Sequence, residues 1–140
     1  AIMYLKNTDP NKMVHISAFA LGFGPSTGGS SSEIPKITVI RNPTAGTIIS
    51  SPVNVDINSN RNYGSSNSLT ATVLKGAEAK TITDGEDHII FFQGTNGRLF
   101  ASINEVIPNG SSIGIKIDPQ TDNTSMDVYA ALIIYVEDAE

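Results

Sequence analysis

The sequence of 140 residues contains no cysteine and no tryptophan. Without cysteine, neither a disulfide framework nor a thiolate metal site can form. This absence agrees with folding in a reducing cytosol, and equally with assemblies that form in the cytosol and later travel outside. The lack of tryptophan, together with only nine Phe and Tyr residues, weakens the case for a sugar-stacking platform.

Charged residues are also scarce, at 16% against the ~25% of an average soluble domain. Their places are taken by Ser, Thr and Asn, which together number 39 and favour strands and turns over helix interiors. The sequence shows no signal-peptide pattern and no apolar run of ~18 residues, so we expect a soluble chain without a membrane partner. Its length fits one domain.

The net charge of −5 is unevenly distributed. Residues 1–70 carry five basic and three acidic side chains, whereas residues 71–140 carry four basic and eleven acidic ones. The acidic character of residues 71–140 and the lack of a stripe of Lys or Arg argue against a nucleic-acid partner. Two differently solvated surfaces explain the asymmetry; the alternative is that the amino-terminal part lies on an acidic partner.

Short β-prone segments recur at roughly 8–12-residue spacing, which is typical of a sandwich or barrel. Residues 130–134 could form a helix on propensity alone, but their β-branched and aromatic neighbours favour a strand. We therefore predict an all-β fold, an antiparallel β-sandwich of jelly-roll-like type with about eight or nine strands. The predicted strands cover residues 13–21, 35–41, 47–50, 53–57, 68–74, 88–93, 98–106, 112–117 and 126–136, with one further short strand possible within 77–83.

The most strongly patterned stretch covers residues 88–106. Its first run, 88–93, is apolar at nearly every position, which predicts a strand covered on both sides. Its second run, 98–106, alternates, and the Asn96-Gly97 pair between the runs favours a tight reversal. We predict an antiparallel hairpin at the centre of the domain. A helix is the alternative for so short a run, but the Phe and Ile content and the bounding glycines argue against it.

The two ends of the sequence are expected to differ from the β-sandwich domain between them. Residues 1–12 are predicted to be an amino-terminal arm or edge strand, residues 13–136 a single β-sandwich domain, and residues 137–140 a solvated acidic tail. Residues 22–32 are rich in glycine and serine and predict a mobile or contacting loop. The expected partner contacts are apolar side chains of the arm and of this loop: Ile2, Met3, Tyr4, Leu5, Phe23 and Pro25.

No motif in the sequence predicts a metal or cofactor site. His15 and His88 lie in predicted strands without a second ligand nearby. The acidic segment 84–87 lacks the alternating positions of a calcium loop and is typical of a turn, as are Asp118, Asp122 and Asp127 in and beside a later loop. Residues 22–28 faintly resemble a phosphate loop, but the Gly-Lys-Ser/Thr ending and a following helix are missing.

Catalytic motifs are equally missing, so we predict that the protein is not an enzyme and binds no cofactor. There is no Gly-x-Ser-x-Gly segment to present a serine nucleophile. The alternative is a hydrolase that uses a pair of carboxylates, for which Asp56 and Glu105 are the best-placed strand residues.

Several phrases of the sequence carry a resemblance to a known group. They are Ile40-Arg-Asn-Pro-Thr44, Asn62-Tyr-Gly-Ser-Ser-Asn-Ser-Leu-Thr-Ala71, Leu74-Lys-Gly-Ala-Glu78, Pro108-Asn-Gly-Ser-Ser-Ile-Gly-Ile115 and Asn123-Thr-Ser-Met-Asp-Val-Tyr-Ala130. These phrases resemble small virion proteins of tailed bacteriophages, especially marine ones. The resemblance covers residues 34–136, and the amino-terminal thirty residues match less clearly.

The resemblance implies a capsid decoration or cement protein with a β-sandwich or jelly-roll body. Such a protein is assembled in the host cytoplasm, binds the major capsid protein on the outside of the head and stabilises the shell. The resemblance also implies a homo-oligomer, by analogy a trimer. The family has no catalytic residues that could be assigned to positions of this sequence. The alternative function is a tail, fibre or spike module that binds a host surface glycan.

Overall fold

A computed structural model of the chain describes residues 2–27, 35–44, 69–76, 80–92, 98–118 and 125–139. This part holds eight strands and no helix, hence no helix that could span a membrane. The strands are β1 (Met3–Asn7), β2 (Lys12–Thr27), β3 (Lys36–Arg41), β4 (Ala71–Lys75), β5 (Glu86–Phe92), β6 (Arg98–Ile107), β7 (Ser112–Asp118) and β8 (Ser125–Asp138).

The strands form two antiparallel sheets, one of five strands in the order β4-β1-β7-β3-β5 and one of three in the order β6-β2-β8. The prediction of an all-β antiparallel sandwich with about eight or nine strands is therefore confirmed. Five of the seven connections between consecutive strands cross from one sheet to the other. The chain therefore passes repeatedly between the two sheets of the sandwich.

The core lies between the two sheets and follows from the alternation of side chains along each strand. Val14, Ile16 and Phe19 of β2 are at most 1% exposed. They pack with the inward side chains of the other sheet, which include Ile37, Val39, Ile113 and Ile115. Full burial of one such side chain contributes roughly 1.5–3 kcal/mol, so this layer holds the sandwich together.

The predicted hairpin over residues 88–106 is wrong. β5 pairs with β3 in the five-stranded sheet, whereas β6 pairs with β2 in the three-stranded sheet. β5 is an edge strand with Phe92 63% exposed, so the expectation of cover on both sides is also wrong. The reason is that strand pairing is set by packing against partners distant in sequence, which a local turn signal does not report.

Both ends of the described chain belong to the sheets. β1 lies between β4 and β7, so Met3–Asn7 is an inner strand and not an arm or an edge. β8 continues through Asp138, and Glu137 pairs with Met13. Residues 137 and 138 are exposed but are part of the strand and not of a tail. The hydrogen bonds of these segments to neighbouring strands fix them in place.

The loop predicted over residues 22–32 is wrong for its first half, because β2 continues to Thr27. Gly22 is the last residue of β2 that pairs with β6, and beyond it β2 pairs only with β8 among the described strands. Pro25 lies at a register shift in this part, where the missing N–H removes no described ladder bond. Residues 28–32, and the strands predicted over 47–50 and 53–57, lie outside the described residues.

The outward faces of the two sheets differ. On the five-stranded sheet, Ile82 and Pro43 lie over Gly114, where a Cβ would meet Ile82 and approach Pro43 Cγ to 3.0 Å. The neighbours of Gly114 in that row, Tyr4 and Ile40, are buried. The five-stranded sheet exposes Ile90 and Phe92 on β5, whereas the outward face of the three-stranded sheet exposes large apolar side chains on both β6 and β8.

Candidate functional site

The outward surface of the three-stranded sheet is the strongest candidate for a functional site. Its two edge strands point large apolar side chains into solvent, with Phe100 65% and Tyr129 71% exposed. We refer to this surface as the open face and define it by its large apolar residues, which are Phe100, Val106, Tyr129, Ile133 and Tyr135.

Strand register gives the open face its shape. The central strand β2 contributes small residues, and larger side chains lie beside them on β6 and β8. Ala20 lies between Phe100 and Ala131, and Ala18 lies between Ser102 and Ile133. In each of these rows one large side chain borders the small β2 residue, and we refer to this strip of small side chains along β2 as the trough. Such a trough can receive a partner's protruding side chains.

A histidine lies at one end of the trough. The His15 ring stacks on Tyr135, with ring centroids 4.6 Å apart and planes 7° from parallel. Its Nε2 lies 2.9 Å from Oε2 of Glu137, but that approach is not aligned as a hydrogen bond, and the nitrogen has no hydrogen-bond partner among the described residues. We regard the contact as electrostatic and dependent on a protonated ring. It gives the trough one polar end.

The chemistry of the open face suits binding. Soluble monomers rarely expose contiguous large apolar patches without a role, and Tyr and Phe are enriched where proteins meet. Apart from His15 and Glu137, the described side chains of this face bring no pair of ionisable groups together. The arrangement provides apolar area and flat aromatic rings for contact with a partner.

A second candidate is the pair formed by His88 and Glu105. His88 Nε2 lies 2.7 Å from Glu105 Oε1, and both side chains are partly exposed. The contact links β5 to β6 across the two sheets. Within the described residues the His88 ring makes no other hydrogen bond. We interpret the pair as a link between the sheets. The alternative of a hydrolase pairs Glu105 with Asp56, which lies outside the described residues.

The structure brings no metal site together in the part of the chain that it describes. No three His, Asp or Glu side chains gather there at the distances a metal ion needs. Asp84 and Gly85 have φ angles of 57° and 81° and form a tight turn, whereas Glu86 and Asp87 begin β5. Asp84 accepts a hydrogen bond from Thr44. Asp118 and Asp127 lie in different strands, and Asp122 lies outside the described ranges.

The six expected contact residues occupy different environments. Tyr4 and Leu5 are only 4% and 2% exposed, so their side chains are not available to a partner in this fold. Ile2 and Met3 are half-buried beside β7 and β4, and contact through them stays a prediction. Phe23 and Pro25 lie in the backbone of β2, and their side chains fall outside the described part.

Sequence reasoning missed the open face, although a signal for it was present. In the alternating run 98–106, Phe100 and Val106 occur in phase with Arg98, Ser102 and Asn104, on the polar side of the strand. An apolar side chain on the solvent side of an alternating strand is an indication of contact.

Comparison of the chain with family models, with curated proteins and with solved structures gives no match in any of the three.

Proposed function

We propose that this chain is a structural protein of a phage virion, a decoration or cement protein that binds the outside of the head and stabilises the shell. The observation that carries the proposal is the open face, an apolar surface on an otherwise well-packed β-sandwich. The resemblance of residues 34–136 to small virion proteins supports the same function.

The contact with the major capsid protein is made through the open face. Each Å² of apolar surface removed from water contributes about 25 cal/mol, and well-packed aromatic side chains commonly dominate an interface. One copy need not bind tightly, because many copies make the same modest contact at equivalent positions of the shell. Copies that associate with one another on the shell gain further through a high effective concentration.

The proposal assigns the protein a mechanical role on the virion surface, as a homo-oligomer without enzymatic activity or a cofactor. A protein with this role must resist distortion. The two sheets are tied by the core around Phe19 and by its edge-to-face contact with Phe91, at a centroid distance of 5.2 Å. Aromatic pairs of this geometry contribute roughly 0.5–1.5 kcal/mol beyond their burial.

The test is to mix the purified chain with undecorated heads assembled from the major capsid protein of the same genome. We expect saturable binding in a sedimentation assay and a rise in the temperature at which the heads lose their contents. Absence of saturable binding, or binding without any gain in heat resistance, would reject the proposal.

A matched pair of variants assigns the contact. Phe100→Ser removes an aromatic ring from the open face, and Phe92→Ser removes a ring of nearly equal exposure, 63% against 65%, from the edge of the other sheet. Loss of an interface anchor costs about 2 kcal/mol or more. Phe100→Ser should therefore weaken binding roughly thirty-fold while Phe92→Ser leaves it unchanged. The reverse order would place the shell contact on the five-stranded sheet.

The alternative is a tail, fibre or spike module that binds a host surface glycan. Tyr129 and Tyr135 favour it, because both expose aromatic surface on one side of one strand, and sugar rings pack on flat apolar surfaces. Glycan-array binding that Tyr129→Ser abolishes, with only a few copies of the chain per particle, would support this module over the shell protein. Hundreds of copies per particle would support the shell protein.

A further inference from the structure

The second edge of β8 is the most conspicuous unpaired feature of the described fold. β8 (Ser125–Asp138) is 14 residues long and pairs with β2 along one edge. None of the described strands pairs with its other edge. A long strand edge with free N–H and C=O groups is a template for another chain.

Nothing in the sequence of β8 protects that edge. Residues 128–136 read Val-Tyr-Ala-Ala-Leu-Ile-Ile-Tyr-Val and include no charge, proline or glycine. Acidic side chains of β8 occur only near its ends, at Asp127, Glu137 and Asp138. Proteins usually blunt exposed edges with lysine, proline or a bulge. An edge with none of these is one that a partner strand covers.

The described part of the chain also leaves the core less covered on this side. The inward side chains of β8, such as Leu132 and Ile134, pack against the core but remain partly exposed. Their neighbours on β2, Phe19 and Ile16, are at most 1% exposed. A strand added beyond β8 would bring further side chains over the inward residues of β8.

A symmetry in the sequence of β8 itself indicates which strand covers its free edge. Read in either direction from Leu132, the segment places Tyr at distance three and Val at distance four. An antiparallel copy centred on Leu132 therefore faces Tyr129 with Tyr135 and Val128 with Val136. At the two inner positions, Ala residues on one copy face Ile residues on the other, so that small side chains meet large ones.

We propose that two copies of this chain pair β8 to β8, antiparallel, about a two-fold axis at Leu132. The two three-stranded sheets then form one continuous sheet of six strands. A two-fold contact uses the same surface on both subunits, and aromatic and β-branched cross-strand pairs are the ones that stabilise sheets. This inference does not depend on the proposed virion function, because it rests only on β8.

The contact is expected to be weak. Nine paired residues span ~30 Å, and with sheets ~10 Å apart the two edges bury on the order of 600 Å² together. That is below the ~1,200 Å² of a standard interface, which places the dissociation constant in the micromolar range or above. Asp127 faces Glu137 of the partner subunit, and like charges placed opposite each other oppose pairing. Added salt should therefore strengthen the dimer.

The first test is sedimentation of the full chain from about 1 to 500 µM. We expect a monomer–dimer equilibrium whose dissociation constant falls roughly three-fold or more between low and high salt, because screening weakens the acidic repulsion at both ends of the pair. A chain that stays monomeric throughout, or that forms trimers, would overturn the proposal. Backbone amides of β8 that are protected from hydrogen exchange only when the chain is bound to heads would also overturn it, because the capsid protein would then cover the edge.

The second test uses the absence of native cysteine to locate the contact. Leu132→Cys places one thiol per copy at the axis, where Cβ atoms ~5 Å apart can be drawn into a disulfide. Leu99→Cys is the matched control, since Leu99 is also a half-buried, inward leucine on an edge strand of the same sheet. We expect the first variant to form a reducible dimer at least ten-fold faster than the second. Equal rates, or faster cross-linking at position 99, would contradict pairing through β8.

Discussion

Asn7 is the polar residue on which the connection between the sheets depends. It is fully buried, and its Nδ2 donates to the carbonyl oxygens of Lys12 at 2.8 Å and Ile107 at 2.9 Å. Its Oδ1 accepts from the N–H of Asp9. One amide group thereby ties the β1–β2 connection to the end of β6. Buried polar groups are tolerated where every donor and acceptor is used, as here.

Removing this amide should be costly. Asn7→Ala leaves two carbonyl groups and one N–H without their partner, and each buried unsatisfied group costs about 1–3 kcal/mol. We expect a loss of at least ~2 kcal/mol in the free energy of unfolding, measured by urea denaturation. Asn104→Ala, at an exposed position of β6, is the control and should change it by less than ~0.5 kcal/mol. Equal losses in the two variants would contradict the role of Asn7.

Asp9 should make stability depend on acid pH. Hydrogen bonds from the N–H groups of Asn11 and Thr70 lower the pKa of the Asp9 carboxyl, burial opposes them, and the nearby charge of Lys12 lowers it further. A carboxyl whose pKa is lower in the folded state stabilises the fold above its ordinary pKa of about 3.9. That contribution is lost as the pH falls from about 5 through the lowered value.

The measurement is the urea midpoint of the native chain and of Asp9→Asn between pH 7 and pH 2.5. We expect the variant to be less stable at pH 7, because its amide nitrogen cannot accept the second N–H. We also expect the gap between the two proteins to narrow as the medium becomes acidic. A gap that stays constant over this range would show that Asp9 does not carry the dependence.

At the scale of elements, two turns require glycine for different reasons. Gly85 and Gly110 both have positive φ, 81° and 83°. A Cβ on Gly85 would lie 2.7 Å from the carbonyl oxygen of Arg41 and 2.9 Å from Pro43 Cα, whereas a Cβ on Gly110 would meet nothing within 4 Å. Gly85 therefore allows both the turn and the close approach of the chain before β5 to the end of β3.

The comparison of Gly85→Ala with Gly110→Ala separates these two requirements. Gly110→Ala should cost about 1–2 kcal/mol, because an L-residue is placed in the left-handed region. Gly85→Ala should cost at least ~1 kcal/mol more, because backbone atoms must also move. Thermal and urea denaturation measure both. A smaller loss for Gly85→Ala than for its control would refute the close contact.

The sequence predicted where individual strands lie better than it predicted which strands pair with each other. Alternation over residues 13–21 and 112–117 correctly predicted strands that became β2 and β7, because one buried face imposes a period of two. The inner position of β1 depends on β4 and β7, roughly 70 and 110 residues away in sequence, and no local pattern contains that information. The same limit explains why residues 88–106 were predicted to be a hairpin.

The open face could not be predicted as a site for a related reason. Phe100 and Tyr129 belong to strands separated by β7, and they flank the same trough only because β6 and β8 pair with opposite edges of β2. Individual exposed apolar residues were visible in the pattern of β6. Their convergence depends on the register of three strands, which forms only when the two sheets pack.

At the scale of the whole molecule, the proposed function requires that the sandwich bind its partner through the open face. The five-stranded sheet has part of its outward surface covered by Ile82 and Pro43 and exposes Ile90 and Phe92 on β5, whereas the three-stranded sheet exposes large apolar side chains on both β6 and β8. This difference favours the open face as the main binding surface. The scarcity of charge agrees with contacts made by packing more than by ion pairs.

Thiol footprinting on decorated heads tests that claim most directly, because the native chain has no cysteine. Ser102→Cys is a conservative change at an exposed position of the open face, and Lys116→Cys is its counterpart on the five-stranded sheet. Both thiols should react with maleimide in the free chain. On saturated heads, we predict that the thiol at position 102 is protected at least ten-fold while the thiol at position 116 stays reactive. Full reactivity at position 102 in the bound chain would contradict the account.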